Sequence, residues 1–181
     1  MATRQLVKRP KSLRQPTKST KKPARRVQPG QTTVAASPAA DAEGVRQVLS
    51  RYCFALDRGR IEELGPLFHR EAIFSVSFEN GQKHAGRETI QAWYTRFFQQ
   101  RPGQYRHMRH KIYEPLVLIH GNTATTVTYF DADSVDPEGK VHVIAGRYDD
   151  ALIKENGQWF FHDRTITVFY HYSPGNGQEG M

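Results

Sequence analysis

Asp57 is a carboxylate placed where an apolar helix face runs out. Val45, Val48, Leu49, Tyr52 and Leu56 recur at helical spacing and make one stripe. Gly59 stands where such a helix would stop. A carboxylate at that edge is an acid, a base or an orienting group if the face closes over a cavity, and a solvated helix-end residue if it does not. Two histidines, His107 and His110, fall in a β-rich stretch at opposite parity. His110 shares its parity with Met108 and Ile112, so a regular strand would turn His110 inward. The other six histidines show no ligand spacing and no H-E-x-x-H occurs, so no metal site is expected. Cys53, the one cysteine, excludes an internal disulfide and reads as a packing residue. No glycine-rich phosphate loop is present.

The elements that must position these groups follow from periodicity and turn signals. A first helix is expected from about Asp41 to Asp57, capped by Asp41 or a neighbour, and a short second helix from Ile61 to Phe68, limited by Pro66. Glu71 to Phe78 alternates and predicts a strand, and Asn80-Gly81 a turn. Gly86 to Gln99 predicts a third helix, with Ile90, Trp93, Tyr94, Phe97 and Phe98 on one side. Four long strands follow. The first runs from Gln104 to Ile119, where Pro115 suggests an edge or a bulge. The others are Thr123 to Ser134, Lys140 to Lys154 and Gln158 to Tyr172, with turns at Gly121-Asn122, at 136–139 and at Asn156-Gly157. Helices followed by antiparallel strands predict an α+β domain with helices on one face of a bent sheet. Such a sheet encloses a cone, and ten Phe and eight Tyr are available to line one for a hydrophobic ligand.

The 181 residues suffice for one domain with a sizeable core. The net charge of +8 belongs to residues 1–40, which carry ten Lys or Arg, no Asp or Glu and five prolines. The remainder holds 16 basic and 18 acidic side chains. That composition predicts a disordered basic tail. It reads as an arm for nucleic acid or another polyanion, as an organelle transit peptide weakened by its prolines, or as a solubilising extension. Residues 173–181, with three glycines and a proline, are expected to fray. There is no run of eighteen apolar residues and no apolar signal region, so neither a transmembrane helix nor a secretory signal is expected. The single cysteine fits a reducing, cytoplasmic compartment.

Several segments taken together resemble a known family. They are Tyr52-x4-Asp57, Leu67-Phe68 before a strand, Gly86-Arg87-Glu88 opening a helix that holds Trp93, the run from Tyr105 to Met108, the run from Gly146 to Leu152, and Asn156-Gly157-Gln158-Trp159. Across about residues 41–172 their order resembles the SnoaL-like branch of the nuclear transport factor 2-like superfamily. That branch includes polyketide cyclases, scytalone dehydratase, bile-acid dehydratases and a dehydrochlorinase. The resemblance implies a cone-shaped fold, three helices against a strongly curved antiparallel sheet, and a homodimer formed through the outer sheet face.

The resemblance also implies a site. An Asp at the end of the first helix pairs with a His early in the long strand, at Asp57 and His107 here, and on this ground His107 is preferred to the parity choice His110. Tyr52 falls where several members use a Tyr, and Asp131 lies near a second Asp of bile-acid dehydratases; Asp131 otherwise pairs with Arg147. Trp93, Tyr148, Phe74 and His110 are expected in the pocket wall. Scytalone dehydratase has a second His and an Asn where this chain has Phe130 or Asp131 and Tyr148, so a plain scytalone dehydratase is not expected. An Asp–His pair with a Tyr hydrogen-bond donor in an apolar pocket suits dehydration, isomerisation or cyclisation of a small hydrophobic hydroxy- or keto-compound, without metal or organic cofactor. The alternative is a non-catalytic ligand-binding or accessory subunit, like the small subunits of ring-hydroxylating dioxygenases. Five residues of helix separate Tyr52 from Asp57 by about 140° beyond a full turn, so the two are expected to converge only if the helix loosens.

Overall fold

A computed structural model describes residues 37–101, 103 and 106–174. The basic tail before residue 37 and the glycine-rich end after residue 174 lie outside the described residues. Helix α1 spans Pro38–Asp57, three residues earlier than expected. Its cap is Ser37, whose Oγ accepts the Ala40 N–H at 3.2 Å, with Pro38 in the first turn where no amide hydrogen is needed. Asp41 is instead buried, accepting from Lys154 Nζ and Trp159 Nε1, so it clips α1 to the last hairpin. The Lys154 hydrogen bond holds its carboxyl below the usual range.

The C-terminus of α1 is fixed by Gly59 at φ +65°. Gly59 N–H donates to Leu56 O and Arg60 N–H to Ala55 O, both at 2.9 Å, the two bonds of a Schellman motif. The helix therefore stays regular through Asp57. The expected second helix is only two turns of 3-10 helix, Ile61–Glu63 and Gly65–Leu67. Pro66 lacks the N–H that a longer α-helix would require.

Strand β1 spans Phe68–Val76, β2 Lys83–Ala85, and helix α2 Arg87–Gln99. Strands β3 (Arg106–Ile112) and β4 (Leu116–His120) replace the single long strand expected there, because the chain breaks at Pro115. Both pair with β5, Thr123–Val135. Strands β6 (Val141–Glu155) and β7 (Gln158–Tyr172) complete a seven-stranded sheet of order β2-β1-β7-β6-β5-β3, with β4 alongside β5. The sheet is antiparallel except between β1 and β7, which run parallel.

The fold is the nuclear transport factor 2-like cone, helices against a strongly curved sheet. Register shifts at Ala145/Gly146 and Ala151/Leu152 bend β6 and β7. Helix α1 packs on β3, β4 and β7, and α2 on β1 and β2. The apolar stripe of α1 is buried as its spacing predicts, against Phe68, Phe74, Leu152 and Phe161. Each such side chain contributes about 1.5–3 kcal/mol of hydrophobic stabilisation. Among the described residues no helix is long and apolar enough to cross a membrane.

Candidate active site

Strand β3 starts irregularly. Its pairing with β5 jumps from Arg106↔Val135 to Arg109↔Asp133, so β3 carries one extra residue there, and His107 takes φ +51°. Beyond this bulge the strand alternates. His107 is exposed, whereas Met108 and His110 turn inward and line a cavity of about 610 Å³. The expected Asp57–His107 pair does not form. The partner of Asp57 is His110, the residue that strand parity selects.

Asp57 Oδ1 lies 2.6 Å from His110 Nδ1, and its two oxygens also accept the His110 backbone N–H at 3.0 and 3.1 Å. Their side chains are 18 % and 9 % exposed. A carboxylate accepting from Nδ1–H leaves Nε2 with the free lone pair, and Nε2 has no hydrogen-bond partner among the described residues. Tyr52 and Asp57 need no loosened helix to serve one site. Asp57 stays behind the imidazole, and of these three residues His110 and Tyr52 line the cavity.

Tyr52 Oη lies 2.7 Å from Tyr94 Oη, and both residues line the cavity. One of the two hydroxyls donates to the other, so one O–H remains to donate elsewhere. Burial pushes the Tyr52 phenol up to about 12 and the Tyr94 phenol well above its ordinary value, so both stay protonated at neutral pH. Below them lies a buried ion pair. Arg164 Nε and Nη2 donate to Asp150 Oδ1 and Oδ2 at 2.7 and 2.9 Å, and Thr126 Oγ1 donates to Asp150 at 3.2 Å. The guanidinium faces the Tyr52 and Phe161 rings at 3.9 Å and Tyr148 at 4.4 Å.

Trp93 and Tyr148 line the cavity, Tyr148 stacked on Phe130 at 4.2 Å. Phe74 does not reach it; it lies behind Trp93 and Tyr94. Asp131 is also displaced. Phe130, Ala132 and Ser134 of β5 line the cavity and Asp133 reaches its edge, whereas Asp131 does not line it and accepts the Tyr113 hydroxyl at 2.9 Å. Arg147 pairs with Asp149 rather than with Asp131. The Cys53 thiol is buried and pushed up to about 12, which suits packing rather than nucleophilic attack. Among the described residues no three His, Cys, Asp or Glu groups are placed to hold a metal ion.

The reading of the sequence missed Tyr94 as a partner of Tyr52, the Asp150–Arg164 pair, and three polar residues at the cavity mouth, Asp136, His142 and His171. Parity was an available signal for the ion pair, since Asp150 shares its face of β6 with Tyr148 and Leu152.

Comparison with known proteins agrees with this architecture. The model of a family described as the SnoaL-like domain matches residues 37–165. No curated protein matches the sequence. A hexachlorocyclohexane dehydrochlorinase, LinA-type3 from Novosphingobium barchaimii, superposes with a TM-score of 0.67 at 14 % identity, over 79 % of this chain and 96 % of its own. A protein provisionally named a scytalone dehydratase, from Novosphingobium aromaticivorans, gives 0.65 at 17 %, over 78 % and 91 %. One provisionally named an aromatic ring hydroxylase, from the same species, gives 0.65 at 20 %, over 76 % and 96 %. At these identities the likeness is one of fold.

Proposed function

The chain belongs to the SnoaL-like family, and from that premise we propose that it is a cofactor-independent lyase or isomerase acting on a small hydrophobic hydroxy- or keto-compound. The observation that carries this reading is the 2.6 Å contact from Asp57 to His110 Nδ1, with the imidazole in the wall of a largely apolar cavity. His110 Nε2 takes a proton from carbon next to a carbonyl, and Asp57 stabilises the imidazolium that forms. The free O–H of the Tyr52–Tyr94 pair donates to the carbonyl oxygen as negative charge grows on it. If a hydroxyl sits on the neighbouring carbon, the C–O bond breaks, the C=C bond forms, and His110 returns its proton to the departing oxygen as water. Without a leaving group, return of the proton to the same carbon gives exchange only, and in a conjugated enone its delivery to the far carbon of the dienolate moves the double bond and gives isomerisation. The family resemblance and the dehydratase and dehydrochlorinase names among the fold's neighbours support this class.

The test is solvent deuterium exchange at the α-carbon of bicyclic aryl ketones, followed by proton NMR. Exchange catalysed by the wild type and lost in His110→Ala is expected. No exchange above the buffer rate across a panel of such ketones and their β-hydroxy derivatives would leave a ligand-binding or accessory role.

The chain is further read as a homodimer. Tyr129, Phe169 and Tyr170 are about half exposed on the sheet, with Tyr129 and Phe169 ring centroids 6.2 Å apart. A contiguous exposed aromatic patch suits burial against a second copy.

A further inference from the structure

The mouth of the cavity holds a second carboxylate-backed imidazole. Asp136 Oδ2 lies 2.8 Å from His142 Nε2. Its other oxygen accepts the backbone N–H groups of Glu138 and Lys140 at 3.1 and 2.8 Å, which fixes the carboxylate in the turn. His142 Nδ1 lies 3.3 Å from His171 Nε2 and 3.2 Å from Ser173 Oγ, and the two imidazoles stack with centroids 5.4 Å apart. Asp136, His142 and His171 all line the cavity that His110 lines.

The register places the two stations on one row of the sheet. His110 pairs with Ala132, Ala132 with Ile144, and Ile144 with His171. Three strand spacings separate His110 from His171, about 14 Å measured along the sheet and less across its concave side. Ala132 and Ile144 are the apolar floor between them. A compound lying along this row has an imidazole at each end and the apolar Ala132 and Ile144 beneath its middle, with Asp133 and Ser134 beside the row.

We propose that the Asp136–His142–His171 chain is a binding station for a hydroxyl group at the end of the substrate remote from the reacting carbon. The proposal rests on the reading of His110 as the reacting station. With Asp136 accepting from His142 Nε2, His142 Nδ1 accepts from its neighbours, and His171 keeps Nδ1 without a partner among the described residues. A hydroxyl both donates and accepts, so it satisfies His171 Nδ1 in either protonation state. A carboxylate fits poorly, because Asp136 and Glu138 already bring negative charge to this rim. The substrate class is therefore an elongated, uncharged apolar compound with oxygen at both ends.

The test compares ligands that differ by one hydroxyl, with no turnover required. A naphthalene bearing one hydroxyl is titrated against a naphthalene bearing hydroxyls at both ends, and the same pair is taken on a biphenyl frame. In the wild type one diol should bind about tenfold more tightly than its mono-ol. That gap should close to within about twofold in His171→Phe and in His142→Phe while mono-ol affinity stays within about threefold, and His171→Gln should keep part of it. In wild-type protein the ring signals of His142 and His171 should shift on diol binding. Equal affinity on both frames, a gap that survives both variants, or unmoved ring signals would overturn the proposal. Because the readout is binding, failure of the deuterium-exchange test would leave this result standing by itself.

Discussion

His110 meets Asp57 twice, through its backbone N–H and through its ring Nδ1. The backbone bond fixes where the strand passes the end of α1, and the ring bond fixes which nitrogen is free. One carboxylate thus sets both the place and the tautomer of the imidazole.

Asp57→Asn and His110→Ala should each lower the exchange or elimination rate by roughly 10²–10⁴-fold. His107→Ala should leave it within about twofold, since that ring is exposed on the far side of the bulge. Rates on a common ketone, with circular dichroism to confirm folding, decide the matter. A large loss in His107→Ala with little in His110→Ala would reverse the assignment.

Arg164→Met should destabilise the fold by about 3–5 kcal/mol, because it strands the Asp150 carboxylate in the core. Arg164→Met combined with Asp150→Leu should recover much of that loss. Urea denaturation of the two single variants and the double variant measures the coupling, and simple additivity would contradict it.

Stability should fall in alkali. The Tyr52 phenol sits near 12 in the fold against an ordinary 10.0, since burial disfavours its ionised form. A raised pKa gives stability that is whole below about pH 10 and is lost as the pH rises through about 12. Tyr52→Phe should make the denaturation midpoint fall less steeply across that window. Parallel curves for variant and wild type would show that Tyr52 does not contribute.

Gly146→Ala should cost about 1–3 kcal/mol and weaken ligand binding. A Cβ there would collide with the Thr167 carbonyl oxygen on β7 and stand 2.7 Å from the Phe130 ring, which now lies flat on Tyr148 in the cavity wall. Thermal melts together with the naphthalene titrations test both effects, and an unchanged melt would show that strand and ring both yield without cost.

Phe169→Asp with Tyr129→Asp should convert a dimer to a monomer in sedimentation velocity while retaining the fold. A wild-type chain that sediments as a monomer at all concentrations would remove the outer face as an interface.

Much of the architecture was legible because it is written in short-range signals. The α1 stripe, the Asn156-Gly157 hairpin and the alternation of β5 each state their own structure. The second helix was not legible, since Ile61, Leu64 and Leu67 mark a buried side equally well for 3-10 turns. The site was half legible. Asp57 was visible at the end of its helix, and Met108 and Ile112 pointed to His110. The resemblance shifted the choice to His107, whereas β3 keeps its alternation beyond the inserted residue and turns His110 inward. Asp131 stands one step from the cavity-lining positions Phe130 and Ala132. The Asp150–Arg164 pair and the His142–His171 stack depend on cross-strand register, which no local pattern encodes.

The surplus residue at His107 works as a slip joint. From Arg109 onward β3 is held by α1 and β5, while Arg106 ahead of the bulge is held by Val135 and Asp136, and the slack between the two anchors is taken up at His107. A lineage built on this scaffold can thus change the residues of that joint while the free nitrogen of His110 keeps its aim.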